Sequence, residues 1–280
     1  MSSQPAPDAA TTPAAAGPAR PAERIGRLER PAIVGVLVRE LINYSSFWRS
    51  SAFSSAMEPV IYLLAFGFGL GALVAEVDGF SYLEFVATGT VGMAVMYAGA
   101  FPAMFSTFVK YKFQRTYDAI LAAPVDSEEL VTAEALWLAI RVGVYGCAPV
   151  LVAMAFGVLT PAWTMLLLPL VCALAGMGWA LFGITVAATL DSIDNFSYVM
   201  TGVLTPLMLT AGTFFPVTQL PGWGQAIAQA NPLFHTVELV RGTVFGFSGA
   251  SDLWHVVALA GFALVLWRLA IARMTRRLVD

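Results

Sequence analysis

Charge is what this sequence lacks first. Of its 280 residues only 12% are charged and 58% are hydrophobic, with a mean hydropathy of +0.75; a soluble domain carries about 25% charged residues. The ionisable residues are missing from whole stretches, the pattern of membrane-crossing helices rather than of a solvated globule. Lysine occurs only at 110 and 112, in KYK with no glycine nearby. A P-loop needs a lysine after a glycine-rich turn, so this chain cannot bind ATP that way and ATP-driven work requires another chain. Cys147 and Cys172 sit inside apolar runs and read as small buried hydrophobes. With two cysteines and two histidines so dispersed, no metal site is expected. A net charge of −3 leaves no footprint for nucleic acid. The first 30 residues are rich in Ala and Pro and lack the apolar core of a signal peptide, so 1–30 reads as a disordered cytoplasmic tail. No repeat relates the two halves, which counts against an inverted-repeat transporter.

What the chain does have is apolar length. Residues 54–75, 85–109, 130–156, 161–189, 195–215 and 252–272 each approach the ~20 predominantly apolar residues that a spanning helix needs. The fold class expected is therefore an all-α integral membrane protein with six transmembrane helices. Arg20, Arg24, Arg27, Arg30, Arg39 and Arg49 precede the first span, and Lys110, Lys112 and Arg115 follow the second. Arg268, Arg273, Arg276 and Arg277 close the chain. With six spans all of these fall on one side, which predicts that both termini are cytoplasmic. The loop from Asp191 to Asn195 belongs on that side too but has no basic residue.

Residues 31–50 precede the spans. Over 33–50 they are apolar at 33, 37, 41, 44 and 48 and polar at 39, 43, 46 and 50, a helical period too polar to span; it predicts a helix along the cytoplasmic membrane surface. Between spans two and three, KYKFQRTYDAIL can form three helical turns with Phe113, Tyr117, Ile120 and Leu121 on one side. Pro124 ends that helix, and Asp126 with Glu129 reads as an N-cap pair starting span three.

After span five, FFPVTQLPGWGQAIAQANPLFHTVELVRGTVFG (214–246) is apolar but broken by Pro216, Pro221 and Gly222. Asn231 followed by Pro232 is a cap and first-turn pair, and Gly242 stands where a C-cap glycine would. The helix so bounded has ~10 residues, half a membrane. His235, Glu238 and Arg241 recur every third residue and share a face, where Glu238 can pair with Arg241. The segment reads as a re-entrant helical pair at the outer mouth of a path.

EPVIYLLAFGFGLG at 58–71, VDGFSYLEFVATG at 77–89, QRTYDAILAAPV at 114–125 and FFPVTQLPGWGQAIAQANPLFHTVELVRG at 214–242 resemble, in order and spacing, the permease subunits of type-2 ABC exporters. Within that family the chain resembles the nodulation-factor (lipo-oligosaccharide) export permeases. The resemblance covers roughly residues 35–277, everything but the tail. It implies a half-transporter of the bacterial plasma (inner) membrane that pairs with a second copy of itself, contacts membrane lipid and docks an ABC ATPase subunit on its cytoplasmic face. ATP and Mg would belong to that partner, and no cofactor to this chain. It makes 110–125 the element that contacts the ATPase, with Lys112, Arg115, Thr116 and Asp118 as the contact residues. It also makes 33–50 the family's interfacial helix, and 216–242, with Asn231, Pro232, His235, Glu238 and Arg241, its re-entrant outer helices. Cargo does not carry over; a glycolipid, an oligosaccharide or polysaccharide, or a drug-like amphiphile would all suit.

Arg141 lies about three turns into span three, with Glu134 two turns earlier on nearly the same face. A charge there should face the bundle interior, a partner or water, either lining the substrate path or pairing within the bundle. Two rival functions have some footing. Gly246, Phe247, Ser248 and Gly249 spell the G-x-S-G of intramembrane serine proteases, with His235 and His255 as candidate bases, but in a loop that shelters no oxyanion. A stand-alone pore would want a filter-like run or a ring-forming acidic motif, and the spans hold neither.

Overall fold

The computed structural model describes residues 28, 30–46, 48–71, 73–74 and 76–279; the tail expected over 1–30 lies almost wholly outside them. The described chain is mostly helical. It opens with α1 (Arg30–Ser45) and α2 (Trp48–Gly71), followed by a two-stranded antiparallel hairpin, β1 (Glu76–Val77) and β2 (Phe80–Ser81), with Glu76 opposite Ser81 and Val77 opposite Phe80. The hairpin is a small correction to the all-α expectation. Its turn, Asp78-Gly79, has φ of 53° and 82°, the left-handed pair that Asp-Gly adopts most readily in a two-residue turn.

Beyond it run α3 (Tyr82–Phe108), α4 (Thr116–Leu121), α5 (Ser127–Tyr145), α6 (Ala148–Ala155), α7 (Leu168–Thr189), α8 (Phe196–Val199), α9 (Thr205–Thr210), α10 (Gly222–Ala230), α11 (Pro232–Phe245) and α12 (Ala250–Val279). Among the described residues, four stretches are long and apolar enough to cross a membrane: Tyr82–Phe113, Ser127–Ala155, Trp163–Thr189 and Ala250–Leu278. They coincide with the expected second, third, fourth and sixth spans. The first corresponds to α2, 24 residues or about 36 Å of helix. The fifth is interrupted: α8 and α9 are joined by a π-helical turn, Met200–Leu204, and together reach only about 22 Å.

α7 is the central post, packed against α3, α5 and α12. The contacts are close because the facing positions are small, which is how membrane helices gain packing without a hydrophobic drive between them. A Cβ on Gly183 would come within 2.5 Å of the Ala100 carbonyl, and one on Gly143 within 2.8 Å of the Pro169 carbonyl. Trp179 and Phe85 are fully buried, whereas α12 turns Leu253, Trp254, Leu264 and Val265 outward, as a lipid-facing helix does.

Several local expectations change. α1 ends at Ser45 rather than running to residue 50. Its packed stripe is Val36, Glu40 and Tyr44, while Leu41, expected on the apolar face, points outward with Val34, Val38 and Ile42. Residues 110–121 are not one helix. α3 overruns as a π-helical turn, Val109–Phe113, and α4 begins only at Thr116, so exposed Phe113 does not share a face with buried Tyr117. Gly242 is no C-cap: α11 continues to Phe245 and ends at Gly246, φ 112°. Gly242 is small because a Cβ there would stand 3.0 Å from Asp252 Oδ1 and from the Phe247 ring.

Candidate functional site

Polar side chains gather at the two ends of the bundle and at one place between them. At one end, Arg115 takes a left-handed backbone, φ 49°, a sparsely populated region for a side chain of this size. It stops the α3 overrun and restarts the chain as α4. The Arg115 side chain is 81% exposed and meets Asp118 at 3.7 Å; such a pair adds little stability in water and is free to change partners. Thr116 opens α4 and donates its hydroxyl to Gln114 Oε1 at 3.4 Å. Beneath these residues Tyr117 is 1% exposed, wedged into a cluster with Val36, Leu130 and Ile184 that joins α1, α5 and α7. Lys112 is used differently: its ammonium donates to the Asp191 carbonyl and lies 5.2 Å from the Phe108 ring centre.

The same end holds the loop that lacked basic residues. Arg277 donates to the Ala188 and Leu190 carbonyls, each at 3.1 Å, and to the Asp191 carboxylate. That hydrogen bond and the Arg277 charge hold the Asp191 carboxyl below the usual range. Cations from α12 and the α3 overrun therefore flank residues 188–191, and Ser127 meets Thr275 at 2.8 Å.

Deeper lies a buried ion cluster. Lys110 Nζ donates to both oxygens of Glu134 at 2.8 Å and stands 3.0 Å from Glu40, which also takes Arg39 at 2.6 Å. Glu40 and Glu134 are buried, and buried carboxylates persist only when paired. The cluster ties α1, the α3 overrun and α5 together. Glu134 thus faces Lys110, and Arg141 is left with the ring of Tyr44, 5.7 Å from its centre.

At the opposite end Asn231 caps α11 as the sequence predicts. Its Oδ1 accepts from the Leu233 N–H at 2.9 Å, and its Nδ2 donates to the Leu207 carbonyl at 2.6 Å and to Thr210 Oγ1 at 3.2 Å. Pro232 fills the first helical position, where no N–H is needed. Arg241 pairs with Glu238 at 2.8 Å, donates to the Gly212 carbonyl at 2.8 Å and stacks 4.0 Å from the Phe85 ring centre. His235 leaves that face for α12: its Nδ1 lies 2.7 Å from His255 Nδ1, and its Nε2 is 2.9 Å from the Gln229 carbonyl. A carbonyl only accepts, so His235 carries its proton on Nε2 and His255 donates to it. Burial, then the neighbouring His255, holds His235 below the ordinary histidine range. Ser248, the G-x-S-G serine, gives its backbone N–H to the Asp252 carboxylate. Among the described residues its hydroxyl has no hydrogen bond to either histidine, and His255 Nδ1 is already occupied.

The ABC-2 type transporter family model matches residues 32–245, from α1 to the last residue of α11. The chain belongs to the ABC-2 type transporter family. Nodulation protein J of Rhizobium meliloti (strain 1021) is 34% identical over 237 residues, 83% of this chain and 90% of that protein. Nodulation protein J of Rhizobium leguminosarum bv. trifolii is 35% identical over the same shares. The inner membrane transport permease YadH of Escherichia coli (strain K12) is 27% identical over 248 residues, 85% of this chain and 94% of that protein. Every residue singled out by the ABC-2 resemblance falls inside the matched region. What sequence reasoning missed is the Glu40–Lys110–Glu134 cluster, whose members are too far apart in the chain for any spacing rule to join them.

Proposed function

We propose that this chain is the permease subunit of an ABC exporter, forming the substrate path while a separate ATPase subunit binds and hydrolyses ATP with Mg. The observation that carries the reading is the ABC-2 family match across α1 to α11, on a chain whose two lysines lie outside any glycine-rich turn. Relatives named as a nodulation protein and as an inner membrane transport permease support transport across a bacterial plasma membrane. The cargo class is a glycolipid, an oligosaccharide or polysaccharide, or an amphiphilic drug-like molecule.

In this reading the chain crosses six times, with α2 and the broken α8–α9 run as the first and fifth crossings and both termini cytoplasmic. The Lys/Arg-bearing end is then cytoplasmic, and α10–α11 form a re-entrant pair at the outer mouth. Tyr198, Val203 and Leu209 on the α8–α9 run are exposed, which suits cover by a second copy of the chain. The ATPase grips α4 through Arg115, Thr116 and Asp118. Closure of that subunit presses Tyr117 into the cluster it shares with α1, α5 and α7, and the Lys110 ion cluster makes α1, α3 and α5 move as a body. Such a push biases a two-state bundle only through contacts that differ between its states; the exposed Arg115–Asp118 pair is the contact free to differ.

The test is purification from the native membrane in mild detergent with mass spectrometry of the co-purifying chains. A stoichiometric ABC ATPase is expected. An intact chain that comes out alone at every detergent strength would overturn the reading and bring the stand-alone pore forward.

A further inference from the structure

Arg141 is the one cation of the interior cluster region that the ion pairs leave over. Lys110 and Arg39 answer Glu40 and Glu134, two cations for two carboxylates. Arg141 is half-buried and, among the described residues, makes no hydrogen bond and no ion pair; it lies 5.7 Å from the Tyr44 ring centre. It stands about 21 Å along the helix from Ser127, deep in a crossing segment. An uncompensated guanidinium at that depth is costly unless it faces water or an anion.

It faces a cavity. About 730 Å³ of space opens between α1, the cytoplasm-facing half of α3 and α5, lined by Arg141, Tyr44, Trp137 and the Lys110–Glu134 pair. Trp137 and Tyr145 flank Arg141 one turn either way on α5. Tyr44 meets Trp137 edge-on at 5.5 Å and bonds its hydroxyl to that of Tyr145 at 2.6 Å. These contacts hold the aromatic wall in place, and the guanidinium beside the Tyr44 ring keeps its N–H groups unbonded among the described residues. The outward side of α1 exposes Val38, Leu41 and Ile42, on the same helix whose Arg39 and Asn43 line the cavity, so apolar surface for an acyl chain lies next to a polar opening.

We propose that this cavity binds the headgroup of a membrane amphiphile carrying one negative charge, a phosphodiester, sulfate ester or carboxylate, with Arg141 as its cation. The single charge follows from the count: the acids and the other cations cancel, so a monoanion neutralises the site and a dianion overshoots. Planar donation by a guanidinium suits an oxyanion, a basic pocket between membrane helices is a known lipid-headgroup arrangement, and the Tyr44–Trp137 wall gives the acyl or sugar portion an apolar face. The site depends only on the chain lying in a membrane, and the readout below needs no export assay, so its failure is separable from failure of the permease reading.

The full chain, with any partner that co-purifies, is titrated with dioctanoyl phosphatidylglycerol, dioctanoyl phosphatidylcholine or inorganic phosphate, following its thermal unfolding midpoint. The anionic lipid is expected to reach half-saturation at about fivefold lower concentration than the zwitterionic one, the preference that one cation gives near a membrane. Arg141→Gln should abolish the preference and Arg141→Lys should keep most of it. Equal responses to both lipids, or a preference unchanged in Arg141→Gln, would overturn the proposal. An equal shift with inorganic phosphate alone would make this a free-anion site and overturn the amphiphile. Should Arg141→Gln not fold, photoactivatable phosphatidylglycerol cross-linked to the wild-type chain decides instead: labelled peptides from 39–46 and 134–145 support the site, and labelling confined elsewhere sinks it.

Discussion

α4 and α11 are both short helices at an end of the bundle, and they are built in opposite ways. α4 begins at a left-handed arginine with no side-chain cap, and its charged residues stand in solvent with only each other. α11 begins at an asparagine that satisfies three partners, is riveted by Arg241, itself paired with Glu238 of the same helix, to the Gly212 carbonyl, and is tied through His235 to α12. α4 keeps its own polar groups available, and α11 consumes them. Charge kept in water at little structural benefit is what a docking surface needs; charge that is buried and paired is what a fixed rim needs.

The contrast can be broken by substitution. The largest loss of stability should come from the anchor beneath α4: Lys110→Met leaves Glu40 and Glu134 buried without their shared cation, a cost of about 3 kcal/mol or more. A marked drop in the thermal midpoint in detergent checks it. Next comes Asn231→Ala, which removes the α11 cap and strands the Leu207 carbonyl, costing about 1–2 kcal/mol by the same measurement. Smaller and conditional is the histidine contact. His235 is held below the ordinary histidine value, so its neutral-state contribution is intact at neutral pH and above and is lost as pH falls through that depressed value. The thermal midpoint should therefore fall on acidification below about pH 6.5, less steeply in His235→Gln. Smallest of all is Arg115→Ala combined with Asp118→Ala, within about 0.5 kcal/mol of wild type. That pair should nonetheless strip the ATPase from the purified complex, an effect on partnership that none of the buried substitutions produces so cleanly.

Legibility in the sequence followed the range of each interaction. The Asn231-Pro232 start of α11 and the Asp126–Glu129 start of α5 were readable because a cap is written within four residues. Four crossing helices were readable because apolar length is a local sum. The break at Arg115 was not, since an arginine carries no preference for positive φ and KYKFQRTYDAIL satisfies a helical period throughout. Nor was the role of Gly242, whose small size answers Phe247 and Asp252 across a turn rather than a helix end. The hairpin turn was written plainly in VDGF but lay hidden between two apolar runs. The loop at Asp191 looked anomalous because its cations, Lys112 and Arg277, arrive from distant parts of the chain.

The central claim is that the α4 end, and not the α11 end, meets the ATPase. Phe113 and Trp223 offer a matched pair, 66% and 71% exposed at opposite ends of the bundle. A photoreactive phenylalanine analogue placed at 113 or at 223 in the native membrane, followed by irradiation and identification of the cross-linked chain, reads the claim directly. Capture of an ABC ATPase from position 113 and none from 223 is the predicted result. Capture from 223, or from both positions alike, would contradict it.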